Sequence, residues 1–121
     1  MVKKIVYLLL MFMLISGCAG LSMYEAVSPN KSNLAKLRVD MPEDEAMKIM
    51  GDKPISSSSM SIDNPYRVES MEAATGSYKI VYYVTQVVLD DDTISDEELT
   101  PIVFKDGKLV GWGWNFMENL R

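Results

Sequence analysis

Histidine is absent from the 121 residues, and with it the commonest general base and the commonest metal ligand. Cysteine occurs once, at Cys18, so the chain can form neither a disulfide of its own nor a multi-cysteine zinc site. Basic residues are the scarcer charge: 12 Lys and Arg stand against 17 Asp and Glu, a formal net charge of −5. That balance suits neither phosphate backbones nor anionic lipid surfaces, and nucleic-acid binding is not expected. No apolar run reaches the roughly 20 residues that a bilayer-spanning helix needs. The length admits one domain at most. Hydrophobic residues at 48% against 24% charged suffice for that domain to fold.

Lys3 and Lys4 precede an apolar stretch over residues 5–15. Too short to cross a bilayer, it has the form of a secretory signal peptide. The stretch Leu14-Ile15-Ser16-Gly17-Cys18 resembles a bacterial lipobox. Small Ser16 and Gly17 let the extended chain enter a peptidase site, and the Cys18 thiol is the nucleophile that takes a diacylglycerol thioether. The resemblance implies cleavage before Cys18 and acylation of the new amine. Ala19, in place of the aspartate that goes with inner-membrane retention in Gram-negative lipoproteins, points to the outer membrane. Acyl chains worth about 0.8 kcal/mol per buried CH₂ hold such a protein on a membrane whatever its surface. The expected organisation is a signal peptide over 1–17, a lipid anchor and tether over 18–31, and one domain over 32–121. Loss of the leader removes two lysines and no acid, so ten basic residues against 17 acidic ones leave a charge of −7.

Within the tether, Ser28-Pro29-Asn30 reads as irregular chain, and at about 3.4 Å per residue the segment would reach tens of ångströms. A short helix is predicted over 32–39, capped by Ser32, with Leu34, Leu37 and Val39 on one side. A second helix follows Pro42. Glu43, Asp44 and Glu45 suit its positive N-terminal end; Ala46, Ile49 and Met50 form its buried stripe; Gly51 and Pro54 end it. Four serines, Ser56 to Ser59, mark a polar loop with a short edge strand beside it. Asn64-Pro65 marks a turn. A strand over 66–73 leads through Thr75-Gly76-Ser77 into residues 78–89, the strongest strand signal. Tyr78, Ile80, Tyr82, Val84 and Val88 share one face and Val81, Tyr83, Val87 and Leu89 the other, as expected of a central strand. Asp106-Gly107 between two apolar runs predicts a hairpin that pairs Lys105 with Lys108, Phe104 with Leu109 and Val103 with Val110. Continued to Ile102 opposite Gly111 and Pro101 opposite Trp112, this register puts Ile102, Phe104, Leu109, Gly111 and Gly113 on a helix-covered face. Val103, Val110, Trp112 and Trp114 fall on the opposite one. The pattern is α+β: two short helices on a three- to four-stranded antiparallel sheet.

Residues 37–54 resemble the opening of the SmpA/OmlA-type domain, the fold of the small E subunit of the outer-membrane β-barrel assembly machinery. Met41, Ala46, Met50, Gly51 and Pro54 stand at the family's motif positions, and Val103-Phe104-Lys105-Asp106-Gly107-Lys108-Leu109 is similar to its closing hairpin. Asp40 replaces a glycine, Pro42 replaces a threonine cap, and one extra residue separates Gly51 from Pro54. Asn64-Pro65-Tyr66-Arg67, Tyr82-Tyr83-Val84-Thr85-Gln86 and residues 100–113 look like a narrower group, an uncharacterised family of small proteobacterial lipoproteins. The resemblance implies an α+β lipoprotein of the outer membrane. No motif aligns with that machinery's lipid or barrel contacts, so none is carried over.

Candidate chemistry is sparse. Asp90, Asp91, Asp92, Asp96, Glu97 and Glu98 lack the spacing and glycine of a calcium loop, and no metal site is expected. Serine nucleophiles have no histidine base, residues 56–61 contain no Ser-x-x-Lys, and Cys18 is committed to lipid. No catalytic residue, cofactor or enzyme activity is therefore expected. Trp112 and Trp114, with Val103 and Val110, are the candidate partner-binding residues, since tryptophan concentrates at binding hot spots. The competing arrangement has Phe116, Met117 and Leu120 folding back to cover them. The expected function is a non-catalytic interaction or scaffold module on the periplasmic face of the outer membrane, serving envelope assembly or maintenance through an envelope protein partner. The alternative is a periplasmic inhibitor or small-ligand binder on the same scaffold, which an apolar cavity above about 300 Å³ would favour.

Overall fold

The computed structural model describes Lys3 and residues 22–58, 60–88 and 93–121. The lipobox-like segment with Cys18, Ala19, Leu89 and the acidic run Asp90, Asp91, Asp92 lie outside the described residues. Helix α1 (Met23–Leu34) starts at Ser22, whose hydroxyl accepts from the Glu25 amide at 3.2 Å. Met23, Val27 and Asn30 recur at i, i+4, i+7 and are buried. Most of the expected tether is thus part of the folded body, and the helix predicted from Ser32 is the last turn of a longer one. Pro29 does not break it. Both Pro29 and Glu25, whose carbonyl loses its helical donor, are exposed, so water can serve that carbonyl.

Helix α2 (Glu43–Met50) follows its predicted punctuation. Three acids fill the first turn, Ala46 and Met50 are buried, and Gly51 ends it at φ 83°. Before it, Asp40 takes the left-handed conformation at φ 72°, which aspartate tolerates better than most residues.

The strands are β1 (Ile55–Ser56), β2 (Ser61–Ile62), β3 (Arg67–Ala73), β4 (Gly76–Val84), β5 (Leu99–Lys105) and β6 (Lys108–Trp112). β1 and β2 form a small hairpin around the serine loop; the other four make an antiparallel sheet in the order β3-β4-β5-β6. Helix α3 (Trp114–Leu120) closes the fold. The class is α+β, with helices on both faces of the main sheet. Tyr78, Ile80, Tyr82 and Val84 of β4 pack with Met23 and Val27 of α1 and Met117 of α3. Val81 and Tyr83 pack on the other side with Ala46 and Met50 of α2 and with Leu37 and Met41. A strand apolar on both faces is central here, as its sequence implies.

β4 stops at Val84 instead of running on to Leu89, because its partner β5 begins opposite it at Leu99. Beyond, the Thr85 and Gln86 backbone amides reach back to the Glu98 carbonyl at 2.9 and 3.4 Å, and the Thr85 hydroxyl pairs with that of Thr100 at 2.6 Å. Val88, expected on a buried face, is 49% exposed. Along the β6 edge the Asp40 amide donates to the Leu109 carbonyl at 2.8 Å and the Leu109 amide to the Met41 carbonyl at 2.9 Å. Residues 40–42 thus line that edge, while β3 forms the opposite rim, with Val68, Glu69, Ser70 and Glu72 exposed.

Candidate functional site

The Asp106-Gly107 turn has φ of 53° and 77°, as its hairpin requires. The first two pairs, Lys105 with Lys108 and Phe104 with Leu109, are the predicted ones. A β-bulge then intervenes: Val103 pairs with Gly111 and Ile102 with Trp112, leaving Val110 as the extra residue. Every β6 side chain beyond it changes face relative to the one-to-one register. Trp112 therefore packs on the α2 side with the Ile102 and Phe104 cluster. Val103 is fully buried and Val110 half-buried on the side of α3, where Trp114, Phe116 and Leu120 also pack. The four candidate partner-binding residues do not form one exposed patch. Three lie beneath or on α3, and Trp112 is across the sheet. Phe116, Met117 and Leu120 fold back on the side of Val103, Val110 and Trp114, as the covering arrangement has it, but Trp112 lies out of their reach.

Gly111 was expected to admit a helix on the Phe104 face. The bulge turns it toward α3, where a β-carbon would meet the Phe116 ring at 2.5 Å. The close approach of helix and strand is the same; the helix is a different one.

On the α3 side, Arg67 from β3, Tyr82 from β4 and Trp114 from α3 form a stack. The Arg67 guanidinium lies 4.3 Å from the Tyr82 ring centroid, and the Tyr82 and Trp114 rings are 5.8 Å apart at 38°. The Tyr82 hydroxyl donates to Glu69 Oε2 at 3.0 Å. Burial, reinforced by that hydrogen bond, raises the Tyr82 phenol above its ordinary pKa of 10.0, so it stays a donor. Arg67 Nε lies 3.0 Å from Glu69 Oε1 and Nη2 lies 3.2 Å from Asp96 Oδ1. The first is an ion pair without hydrogen-bond alignment, since Nε has no hydrogen-bond partner. These carboxylates are largely exposed, so they orient Arg67 more than they stabilise the fold. The Trp114 indole N–H donates to the Leu99 carbonyl at 2.9 Å. Its outer side opens on a groove of about 340 Å³ shared with Asp96, Glu97, Met117, Glu118 and Arg121. Of these residues only Trp114 is singled out by the sequence as a partner contact. Arg67 and Tyr82 become neighbours only through the β3–β4 register, in which they are paired.

A second depression, of about 510 Å³, lies between α1, the end of α2 and β1, lined in part by Asn33, Lys48, Asp52 and Lys53. Its volume falls in the range of small-ligand pockets, but it is an open trough, rimmed in part by the charged Lys48, Asp52 and Lys53, and not an enclosed cavity. At its base Asn30, 3% exposed, donates from Nδ2 to Asn64 Oδ1 at 2.8 Å and to the Val84 carbonyl at 2.9 Å. Those bonds pin α1 to the sheet. Tyr83 borders this region. Its hydroxyl donates to the Gly51 carbonyl at 3.0 Å, and burial, aided by nearby Asp52, pushes its pKa up to about 12. Among the described residues no group of three or more metal-ligating side chains converges, and no helix is long and apolar enough to cross a membrane.

A family model described as a protein of unknown function (DUF3192) matches residues 22–119. The chain belongs to the DUF3192 family. No curated protein and no solved structure matches it. The DUF3192 domain spans from the Ser22 cap of α1 into the last turn of α3. Both helices that bracket the Tyr82 side of the sheet therefore lie almost wholly within the matched residues. Between Cys18 and the start of the DUF3192 domain stand only Ala19, Gly20 and Leu21.

Proposed function

We propose that this protein is a lipid-anchored interaction module of the bacterial envelope. Cys18 carries the lipid, and the domain works on the periplasmic face of the outer membrane by touching an envelope protein, not by catalysing a reaction. The observation that carries the reading is the spacing of the lipobox-like Leu14-Ile15-Ser16-Gly17-Cys18 from the Ser22 cap, with three residues between anchor and domain. A leader ending in the only cysteine, directly before a folded domain, is the layout of a processed lipoprotein. The resemblance to the SmpA/OmlA-type domain is what suggests outer-membrane assembly or maintenance as the setting. Anchoring confines the domain to a thin layer at the membrane and raises its effective concentration toward neighbours there. Specificity falls to the groove beside Trp114, where an indole and Arg121 supply the residue types that dominate protein contacts.

The test has two parts. Intact mass of the protein purified from membranes should give an acylated chain beginning at Cys18, and Cys18→Ala should leave the membrane fraction. A photocrosslinker at Glu118 in intact envelopes should capture an outer-membrane protein, and Trp114→Phe, which keeps the packing on Tyr82, should reduce capture about tenfold, the equivalent of ~1.4 kcal/mol. A free thiol at Cys18 overturns the anchor. Capture of soluble periplasmic enzymes alone favours the inhibitor reading.

A further inference from the structure

We propose that the surface formed by Tyr24, Val87 and Val88 rests on the bilayer, with zwitterionic lipid headgroups as its ligand. The inference rests on the lipid-anchor reading above. Tyr24 is 70% exposed and Val88 49%, and they meet with Ser22, Met23 and Val87 around a shallow hollow of about 270 Å³. Exposed apolar side chains gathered at one spot mark a contact surface. Its position names the occupant. Ser22, at the rim of the hollow, is four peptide steps from Cys18, which even fully extended span at most about 14 Å. A thioether held at the membrane surface therefore keeps this end of α1 beside the headgroups, and no other described part of the domain is so tightly bound to the anchor.

The chemistry of the surface agrees. A tyrosine with an apolar ring and a polar tip settles at headgroup level, with valines on the hydrocarbon side. On α1, Tyr24, Ser28 and Lys31 recur at i, i+4, i+7, and all three are exposed. The stripe carries an aromatic ring, a hydroxyl and an ammonium, which match the glycerol and phosphate levels of a lipid layer. Glu25 stands beside Tyr24, and Asp90, Asp91 and Asp92 follow Val88 in the sequence. These acids oppose a strongly anionic surface, so the ligand is zwitterionic lipid.

The experiment uses the full chain, expressed with its leader and purified from membranes, so that a cysteine introduced elsewhere is the free thiol. An environment-sensitive fluorophore is placed at Val88→Cys, at Tyr24→Cys, or at Val68→Cys on the outer strand β3, where Val68 is 54% exposed. Each protein is reconstituted in phosphatidylcholine vesicles that contain a spin-labelled quencher lipid. Quenching at positions 24 and 88 should exceed that at position 68 severalfold, and it should fall when phosphatidylglycerol replaces part of the phosphatidylcholine. Equal quenching at all three sites, in protein whose mass includes the acyl chains, overturns the docking and leaves the anchor standing. Stronger quenching in phosphatidylglycerol overturns the zwitterionic ligand. A mass without acyl chains overturns the anchor and the docking together.

Discussion

Phe116 stands in the space that Gly111 leaves by having no side chain: a β-carbon on Gly111 would lie 2.5 Å from the Phe116 ring. The contact joins α3 to β6 at the bulge. Gly111→Ala must therefore displace the ring, and through it the helix that carries Trp114 and Met117. The expected cost is about 1–3 kcal/mol, in the range of overpacked cores. Urea unfolding should show a lower midpoint with an unchanged slope. Combined with Phe116→Ala, the same substitution should cost less than the sum of the two alone.

Asn30 ties the first helix to the sheet. Asn30→Ala takes one donor group from two acceptors, Asn64 Oδ1 and the Val84 carbonyl, in a nearly dry position. Leaving buried acceptors without a donor costs about 1–3 kcal/mol. The loss should appear first as faster hydrogen exchange in residues 23–34, since those two bonds hold α1 down.

Tyr83 makes stability depend on alkaline pH. Its folded pKa of about 12 lies above the ordinary 10.0, so between these values the folded chain holds a proton that the unfolded chain releases. The contribution is whole below pH 10 and is lost as pH rises toward 12. Tyr83→Phe should flatten that part of the stability curve. At neutral pH it should cost about 1 kcal/mol for the lost bond to the Gly51 carbonyl. Paired urea titrations of both proteins from pH 8 upward give the difference directly.

Much of the fold is legible in the residues. Helix α2 is spelled out by Pro42, its three acids, Ala46 and Gly51, because each acts within one or two turns. The two-faced character of β4 follows from simple alternation, and the Asp106-Gly107 turn from local backbone geometry. The parts that are not legible depend on partners distant in the chain. Helix α1 hides behind Ser28-Pro29-Asn30: a turn-like triplet on its face is helical because Asn30 finds acceptors 34 and 54 residues away. The bulge at Val110 is invisible to one-to-one pairing outward from the turn. That single extra residue moves Trp112 to the α2 side, and Gly113, at φ 92°, then ends the strand and turns the chain into α3, which leaves Trp114 on the other side. Gly111, with its need for space, is the trace it leaves in the sequence. The Arg67–Tyr82–Trp114 stack unites three segments that only the finished fold brings together.

The two rims of the main sheet are treated differently. Beside β6 the backbone is sealed by residues 40–42, while along β3 the ladder stays open. Charge is spread along it: Arg67, Glu69 and Glu72 stand among Val68, Met71 and Ala73 over its seven residues. A second copy pairing rim to rim would have to draw these charged side chains out of water, and a growing ribbon of molecules is discouraged at its first step. Crowding many copies into a thin layer would strain any protein with an unfinished sheet; here the cost of desolvating charge stands against such pairing.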